Sequence, residues 1–248
     1  HLAGEDEVLA AREPAAALAA TVVATEKVAE ACAASSAKRL VYMSTVHVYG
    51  DRVLAGVTLT EDMRVEPRSP YAISRLASEH VAAALSRGAY ELVVFRLTNA
   101  VGAPYDPDVD RWTLVANDLC RQGAVRRRLA LRSSGTQFRD FIPLSSVCSA
   151  VAAASRAGDP VVPTGTYNLG SGQPTTVLAL AEMIQTEFER QTGRRPPLDA
   201  PDPEPVPSEP YFVSVARAGR HGLLMLTPLD EAVAETVRFC LDHKERLQ

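Results

Sequence analysis

The sequence predicts an α/β fold: a doubly wound parallel sheet with a smaller C-terminal α/β part. Two apolar runs, "RLVYMST" at 39–45 and "YELVVFRLT" at 90–98, lack polar alternation, which is how strands covered on both faces read. Two long alanine-rich segments, 14–34 and 69–87, precede them and read as helices. The order helix, strand, loop, helix, strand then argues for parallel strands joined by helical crossovers.

Each element has a local reason. The 14–34 helix opens on Pro14, which is tolerated in a first turn. Residues 51–67, with Gly56 and Pro67, read as loop. Ser69 is the expected N-cap and Pro70 the first residue of the 69–87 helix. Residues 111–123 read as helix, "RRLALRS" and "FRDFIPL" as short strands, and 144–157 as helix. "TGTYNLGSGQPTTVLALAEMIQTEFERQTG" reads as strand, glycine-rich turn and helix. Residues 196–210 hold seven prolines in fifteen positions, which excludes helix and central strand and leaves an extended crossing or loop. "TPLDEAVAETVRFCLDHKERL" closes the chain as an amphipathic helix. "HLAG", at the start, looks like the end of a strand. There is no internal repeat.

Composition excludes several classes. The chain has 248 residues, 46% hydrophobic and 23% charged, with a net charge of −4. That describes a soluble globular protein with no basic surface for nucleic acid. The run Arg126-Arg127-Arg128 reads as a solvated loop or strand start. The four cysteines, Cys32, Cys120, Cys148 and Cys240, are not at metal-ligand spacing and read as reduced core residues of an intracellular protein. No apolar run reaches the roughly 20 residues that span a bilayer, and "HLAGEDEVLA" lacks a signal-peptide core. The expected location is the cytoplasm, without a membrane.

Chemistry concentrates in two stretches. "STVHVYG", 44–50, follows a strand, and ligands of open α/β sheets bind at the carboxyl ends of strands. Ser44 and Thr45 therefore stand where a substrate can be met. In "SPYAISR", 69–75, Tyr71 and Arg75 are four residues apart and share a helix face. A cation beside a phenol stabilises the phenolate, which makes the pair suited to acid/base work. Singly, such residues are ordinary: strand-end Ser and Thr cap turns, and helical Tyr packs in cores. Together they describe a site that binds and deprotonates a substrate hydroxyl. His47 reads as a packing residue rather than a second acid.

Six segments in this order resemble the extended short-chain dehydrogenase/reductases, specifically the NAD-dependent epimerase/dehydratase group acting on nucleotide sugars. They are "HLAG", "RLVYMSTVHVYG", "SPYAISRLASEH", "RLTNAVGAP", "GTQFRDFIPLSSV" and "YNLGSG". The resemblance implies a Rossmann-type dinucleotide domain over 1–103 and 138–169, and a substrate-binding domain over 104–137 and 170–248. It implies NAD or NADP as cofactor, held by Ala3, Gly4, Ser44, Tyr71 and Arg75. It implies Tyr71 as acid/base, with Thr45 and Arg75 as its catalytic companions. Thr45, Val46, Asn99 and Arg139 would contact the nucleotide-sugar substrate. Thr45 would hydrogen-bond the reacting hydroxyl or ketone, Asn99 would lie near the diphosphate, and the Arg139 fork would pair with it. A turn role for Asn99 and an ion pair of Arg139 with Asp140 are the alternatives. Helices 14–34 and 69–87 would form a homodimer interface.

The chain also departs from that pattern. The family's N-terminal glycine-rich strand-turn-helix is not in it, so the chain is expected to be a fragment. Gly170-Ser171-Gly172 has Thr175 in place of a third glycine and reads as a turn into the substrate domain. Arg75 stands where the family has lysine, and Thr21 where it has asparagine. The 196–210 segment lacks the usual second diphosphate arginine; Arg194, Arg195 and Arg217 only flank it. Val46 and His47 stand where dehydratases carry an acid pair, which favours epimerisation or ketone reduction. The expected function is an NAD(P)-dependent epimerase or 4-ketoreductase of a nucleotide-linked sugar. The alternatives are a non-catalytic dinucleotide-binding sensor or scaffold, and a reductase of a non-nucleotide ketone with an apolar pocket beside Tyr71.

Overall fold

Strand β1 (Arg39–Thr45) pairs in parallel with β3 (Glu91–Leu97), and β3 in parallel with β7 (Gly165–Leu169). A computed structural model describes residues 1–54, 56–109, 112–156, 162–202 and 209–247. Strand alternation explains why the runs are apolar throughout. Leu40, Tyr42, Leu92 and Val94 face one side, where they pack on Ala29 and Ala82. Those alanines belong to helices α2 (Pro14–Ala34) and α3 (Pro70–Ser86). Val41, Met43, Val93 and Phe95 face the other side, against Val147, Ala150 and Ala154 of helix α5 (Leu144–Ala154). Each fully buried large side chain contributes about 1.5–3 kcal/mol, so both faces are apolar for the same reason. The expected doubly wound parallel α/β class is what the chain adopts.

The helix ends follow their local signals. Ser69 accepts from the Ala72 amide at 3.2 Å and Pro70 opens α3. Such a cap is worth about 1 kcal/mol. His1 lies beside β1: its amine donates to Val41 O at 2.7 Å and its carbonyl accepts from Met43 N at 3.2 Å.

Further elements follow the first sheet. Strand β4 (Asn99–Val101) pairs in parallel with β6 (Phe138–Pro143), and β6 antiparallel with β8 (Pro174–Thr176). Helices α4 (Val115–Arg126), α6 (Val177–Thr192) and α8 (Leu229–Asp242) enclose a separate core around Leu119, Phe188 and Val237. Strand β5 (Leu129–Ala130) pairs with β9 (Leu198–Asp199), so part of the proline-rich crossing is a short strand. Residues 203–208 of that crossing lie outside the described residues. The chain then returns to the first sheet. Strand β10 (Phe212–Val213) pairs with β2 (Thr58–Leu59), and helix α7 (Ala216–Arg220) places Ala218 in the α5-side core.

Four expectations need correction. A short helix, α1 (Glu7–Arg12), occupies the acidic start, capped by Asp6, which accepts from Leu9 N at 2.9 Å. The 51–67 loop holds β2 and the end of a 3-10 segment, Val46–Leu54. That segment breaks at Gly50 (φ 68), where a Cβ would strike the Glu66 carbonyl. Helix α4 starts at Val115 rather than 111; residue 111, like 157 at the end of the next expected helix, lies outside the described residues. Not all the cysteines are core: Cys120 and Cys240 are buried, Cys32 is half-buried and Cys148 is exposed. Among the described residues no helix is long and apolar enough to cross a membrane.

Candidate active site

The carboxyl end of β1 divides its two hydroxyls. Ser44 continues the Leu40–Tyr42 alternation and faces α3, where its Oγ donates to Glu79. Thr45 takes the opposite parity, and its Oγ1 accepts from the His47 amide at 3.3 Å. Both are buried, and Val46 behind them is in the core.

Helix α3 presents Tyr71, Arg75 and Glu79 at i, i+4 and i+8, one stripe on one face. The Arg75 guanidinium lies over the Tyr71 ring, 5.2 Å from its centroid, within cation–π range. Its far end reaches the start of the chain, where Nη2 donates to Glu5 O at 3.4 Å. Gly4 (φ 151) accommodates it, since a Cβ there would sit 2.9 Å from Arg75 Nη1 and 3.0 Å from Thr21 Cγ2. Thr21 accepts from Glu5 N at 3.1 Å. The structure therefore brings Gly4, Thr21, Arg75 and Tyr71 together. A cavity of about 420 Å³ opens there, lined by Leu2, Gly4, Glu5, Asp6, Leu9 and Arg75. Ala3 is exposed at its edge in sequence. Arg75 Nε is buried without a hydrogen-bond partner.

Asn99 and Arg139 come together through β4 and β6. Asn99 Nδ2 donates to Asp140 O at 3.0 Å. Arg139 Nη1 donates to Phe138 O at 2.8 Å, and among the described residues no carboxylate pairs with it. The alternative of an Arg139–Asp140 ion pair is not what forms. Asp140 points inward, accepting from Thr98 Oγ1 at 2.9 Å, Ser171 N at 2.8 Å and Gly172 N at 2.7 Å. Burial raises its pKa, and these donors pull it back. The amides of the Gly170-Ser171-Gly172 turn are thus already bound to a carboxylate. A Cβ on Gly170 would lie 2.9 Å from Asp140 Oδ1. That turn is a clasp around Asp140: Gly170 allows the close approach, and Gly172 takes the left-handed backbone (φ 74).

His47 is half-buried, and burial lowers its imidazole pKa; the field of Glu7 raises it and that of Arg139 lowers it. It therefore stands within electrostatic reach of both α1 and β6. Arg217, a flanking cation, donates to Asp62 at 2.6 Å and to Thr166 O at 3.1 Å. Of the Arg126–Arg128 run, Arg127 ends α4 in the left-handed region (φ 55) and Arg128 pairs with Asp199. A larger cavity, about 710 Å³, opens between the C-terminal ends of α4 and α6 and the end of α8; Arg127, Arg194 and Arg195 line it, but none of the predicted catalytic or binding residues does. Among the described residues no cluster has a metal-ligand composition.

Sequence reasoning passed over Glu79, Tyr49, Arg96 and Asn168, which form one buried network beside Ser44. The available signal was Glu79, four residues after Arg75 on the same face.

The model of the NAD dependent epimerase/dehydratase family matches residues 1–170. A UDP-glucose 4-epimerase of Cyamopsis tetragonoloba is 31% identical over 208 residues, 77% of this chain and 57% of that protein. A dTDP-6-deoxy-L-talose 4-dehydrogenase (NAD(P)(+)) of Kitasatospora kifunensis is 36% identical over 173 residues, 68% of this chain and 52% of that one. Among solved structures, an NAD-dependent NDP-hexosamine 5,6-dehydratase involved in tunicamycin biosynthesis superposes with a TM-score of 0.77 at 25% identity, covering 96% of this chain and 75% of that chain. The chain spans about half the length of the curated relatives it matches. With a strand-end Ser-Thr, a Tyr71–Arg75 stripe and a matched family model over most of its length, the chain belongs to the NAD dependent epimerase/dehydratase family.

Proposed function

We propose that this chain carries the acid/base half of an NAD(P)-dependent epimerase or 4-ketoreductase acting on a nucleotide-linked sugar. The observation that carries the reading is Arg75, held between the Tyr71 ring and the Cα of Gly4. The residues present fit a dinucleotide: a glycine that leaves no room for a Cβ, an arginine with an unsatisfied nitrogen and a cavity lined by both occur at one place. Ala3, Gly4, Ser44, Tyr71 and Arg75 are its proposed holders. When bound, a nicotinamide dinucleotide supplies the acceptor and donor of hydride.

The chain's own residues do the rest. Tyr71 receives the sugar hydroxyl's proton as the carbinol carbon gives up hydride, and returns it in the reverse step. Arg75 is placed to stabilise negative charge as it develops on the phenol. Thr45 orients the reacting oxygen, with Val46 packed behind it. Arg139, without a carboxylate partner among the described residues, suits a diphosphate, and Asn99 beside it completes that contact. The absence of carboxylates at 46 and 47 favours epimerisation or reduction over water elimination. Glu5 and Asp6 in the cavity beside Arg75 weigh against the apolar pocket that a non-nucleotide ketone asks for.

The test is Tyr71→Phe in the complete gene product, assayed with NAD or NADP and a panel of UDP- and dTDP-sugars. Turnover should fall by about 10²–10⁴-fold while the far-UV spectrum is unchanged. Turnover equal to wild type would remove Tyr71 from the chemistry. Dinucleotide binding without any turnover would instead favour the sensor reading.

The proposed domain division is 1–103 with 138–169, and 104–137 with 170–248. The four free cysteines support a reducing, cytoplasmic setting. A homodimer through α2 and α3 is supported by Leu18, Val23 and Ile73, which are 39%, 49% and 41% exposed. Sedimentation should give a dimer, and L18E/V23E a monomer; a wild-type monomer at high concentration would refute the interface.

A further inference from the structure

We propose that Glu79 is a positioning residue: it sets how α3 lies against the strand ends, and so where the Tyr71 phenol meets Thr45. The proposal rests on the Tyr71 reading above and extends it to a residue outside the reacting set.

The ladder register supplies the first argument. Ser44 pairs with Arg96, and Arg96 with Asn168, at one level across all three strands. All three share the parity of Tyr42 and Val94, so a polar row ends the α3-facing apolar side of the sheet. Glu79 enters that row from the helix. Its carboxylate accepts from Ser44 Oγ on β1, and from Arg96 Nε at 3.2 Å and Nη2 at 2.8 Å on β3. The Glu79 and Arg96 side chains are 7% and 8% exposed.

The row then reaches the segments around the cleft. Arg96 Nη1 donates to Tyr49 OH at 3.2 Å, and Tyr49 OH donates to Asn168 Oδ1 at 2.7 Å. Asn168 Nδ2 donates to Leu59 O at 3.3 Å and Ser214 O at 3.2 Å. Tyr49 lies in the 3-10 segment that directly follows Thr45.

Stability alone does not call for such a pair, because a buried ion pair is often matched or bettered by apolar residues of similar volume. What an apolar pair lacks is direction. Three hydrogen bonds to two strands fix the rotation of α3 about its axis and its sliding along it. Tyr71 sits eight residues from Glu79, about 12 Å along the helix. A small rotation at the anchor therefore displaces the phenol, and a displacement of about 1 Å can cost about 10²-fold in rate.

Two variants of the complete gene product test this: Glu79→Gln, and the apolar pair E79L/R96M, which carries the test if the first does not fold. Each is measured for kcat, KM, the deuterium isotope effect at the hydride-donating carbon, and amide hydrogen exchange. We expect kcat to fall by about 10–100-fold with KM nearly unchanged and a larger isotope effect. Exchange should rise across 44–49 and 70–79 and stay slow in β3 and β7. A folded E79L/R96M protein with wild-type kcat would overturn the proposal. If wild type turns over no sugar nucleotide, the functional reading fails by itself, and unchanged exchange across 44–49 and 70–79 would separately overturn the role of Glu79.

Discussion

Arg39 on β1 and Arg96 on β3 stand at opposite ends of the same sheet, each paired with a glutamate. Arg39 lies at the amino end of β1. Its side chain is only 2% exposed, but its partner Glu91 is 42% exposed. Arg39 spends its other donors on backbone carbonyls: Ala154 at 2.8 Å, Arg156 at 2.9 Å and Val162 at 2.8 Å. It gathers carbonyls at and beyond the C-terminal end of α5, where a cation also meets the negative end of the helix dipole. Arg96, at the carboxyl end, spends its donors on side chains from two other elements, Glu79 of α3 and Tyr49 of the 3-10 segment. Backbone carbonyls go wherever the fold has put them; side chains choose where the elements go. The amino-end pair therefore staples a finished fold. The carboxyl-end pair arranges the end of the sheet where ligands of such folds bind.

The largest expected effect separates the two. Arg96→Met leaves Glu79 buried and uncompensated and should cost about 3–5 kcal/mol in a denaturant titration. Arg39→Met leaves Glu91 in water and orphans only carbonyls, for about 1–3 kcal/mol. Equal losses would break the contrast. The smallest effect concerns pH. Burial depresses the His47 pKa below its ordinary 6.5. A histidine held neutral contributes fully above that value and loses its contribution as the pH falls through 6.5 toward the folded pKa. Thermal melts should therefore weaken below that pH, and H47Q should flatten the decline. An H47Q melt with the same acid dependence as wild type would place that sensitivity elsewhere.

Much of the fold was legible because its signals are local. The boundaries of α2, the Ser69–Pro70 start of α3 and both buried strands follow from neighbours within a few residues. The reading of Gly170-Ser171-Gly172 as a turn follows likewise, and Asp140 closes its Ser171 and Gly172 amides. Helix α1 was missed because six residues are too few to show a period. The β2–β10 pair was missed because its strands are two residues each and more than 150 positions apart, and no local pattern specifies so short a pairing. The candidate site divides in the same way. Tyr71 and Arg75 could be read from their spacing, and Thr45 from its place after a strand. Glu79 looked like any helical carboxylate until β1 and β3 supplied its partners.

The sequence by itself determined the class of the sheet, the helices that cover it, and the face on which Tyr71, Arg75 and Glu79 share a stripe. Periodicity and capping are properties of adjacent residues, so they survive without the rest of the chain. Only the tertiary structure decided that the Ser44 hydroxyl meets Glu79, that Asp140 holds a turn and does not pair with Arg139, and that Arg75 reaches Gly4. Those outcomes depend on strand register and on which donors burial leaves unsatisfied, and both exist only once distant segments have met.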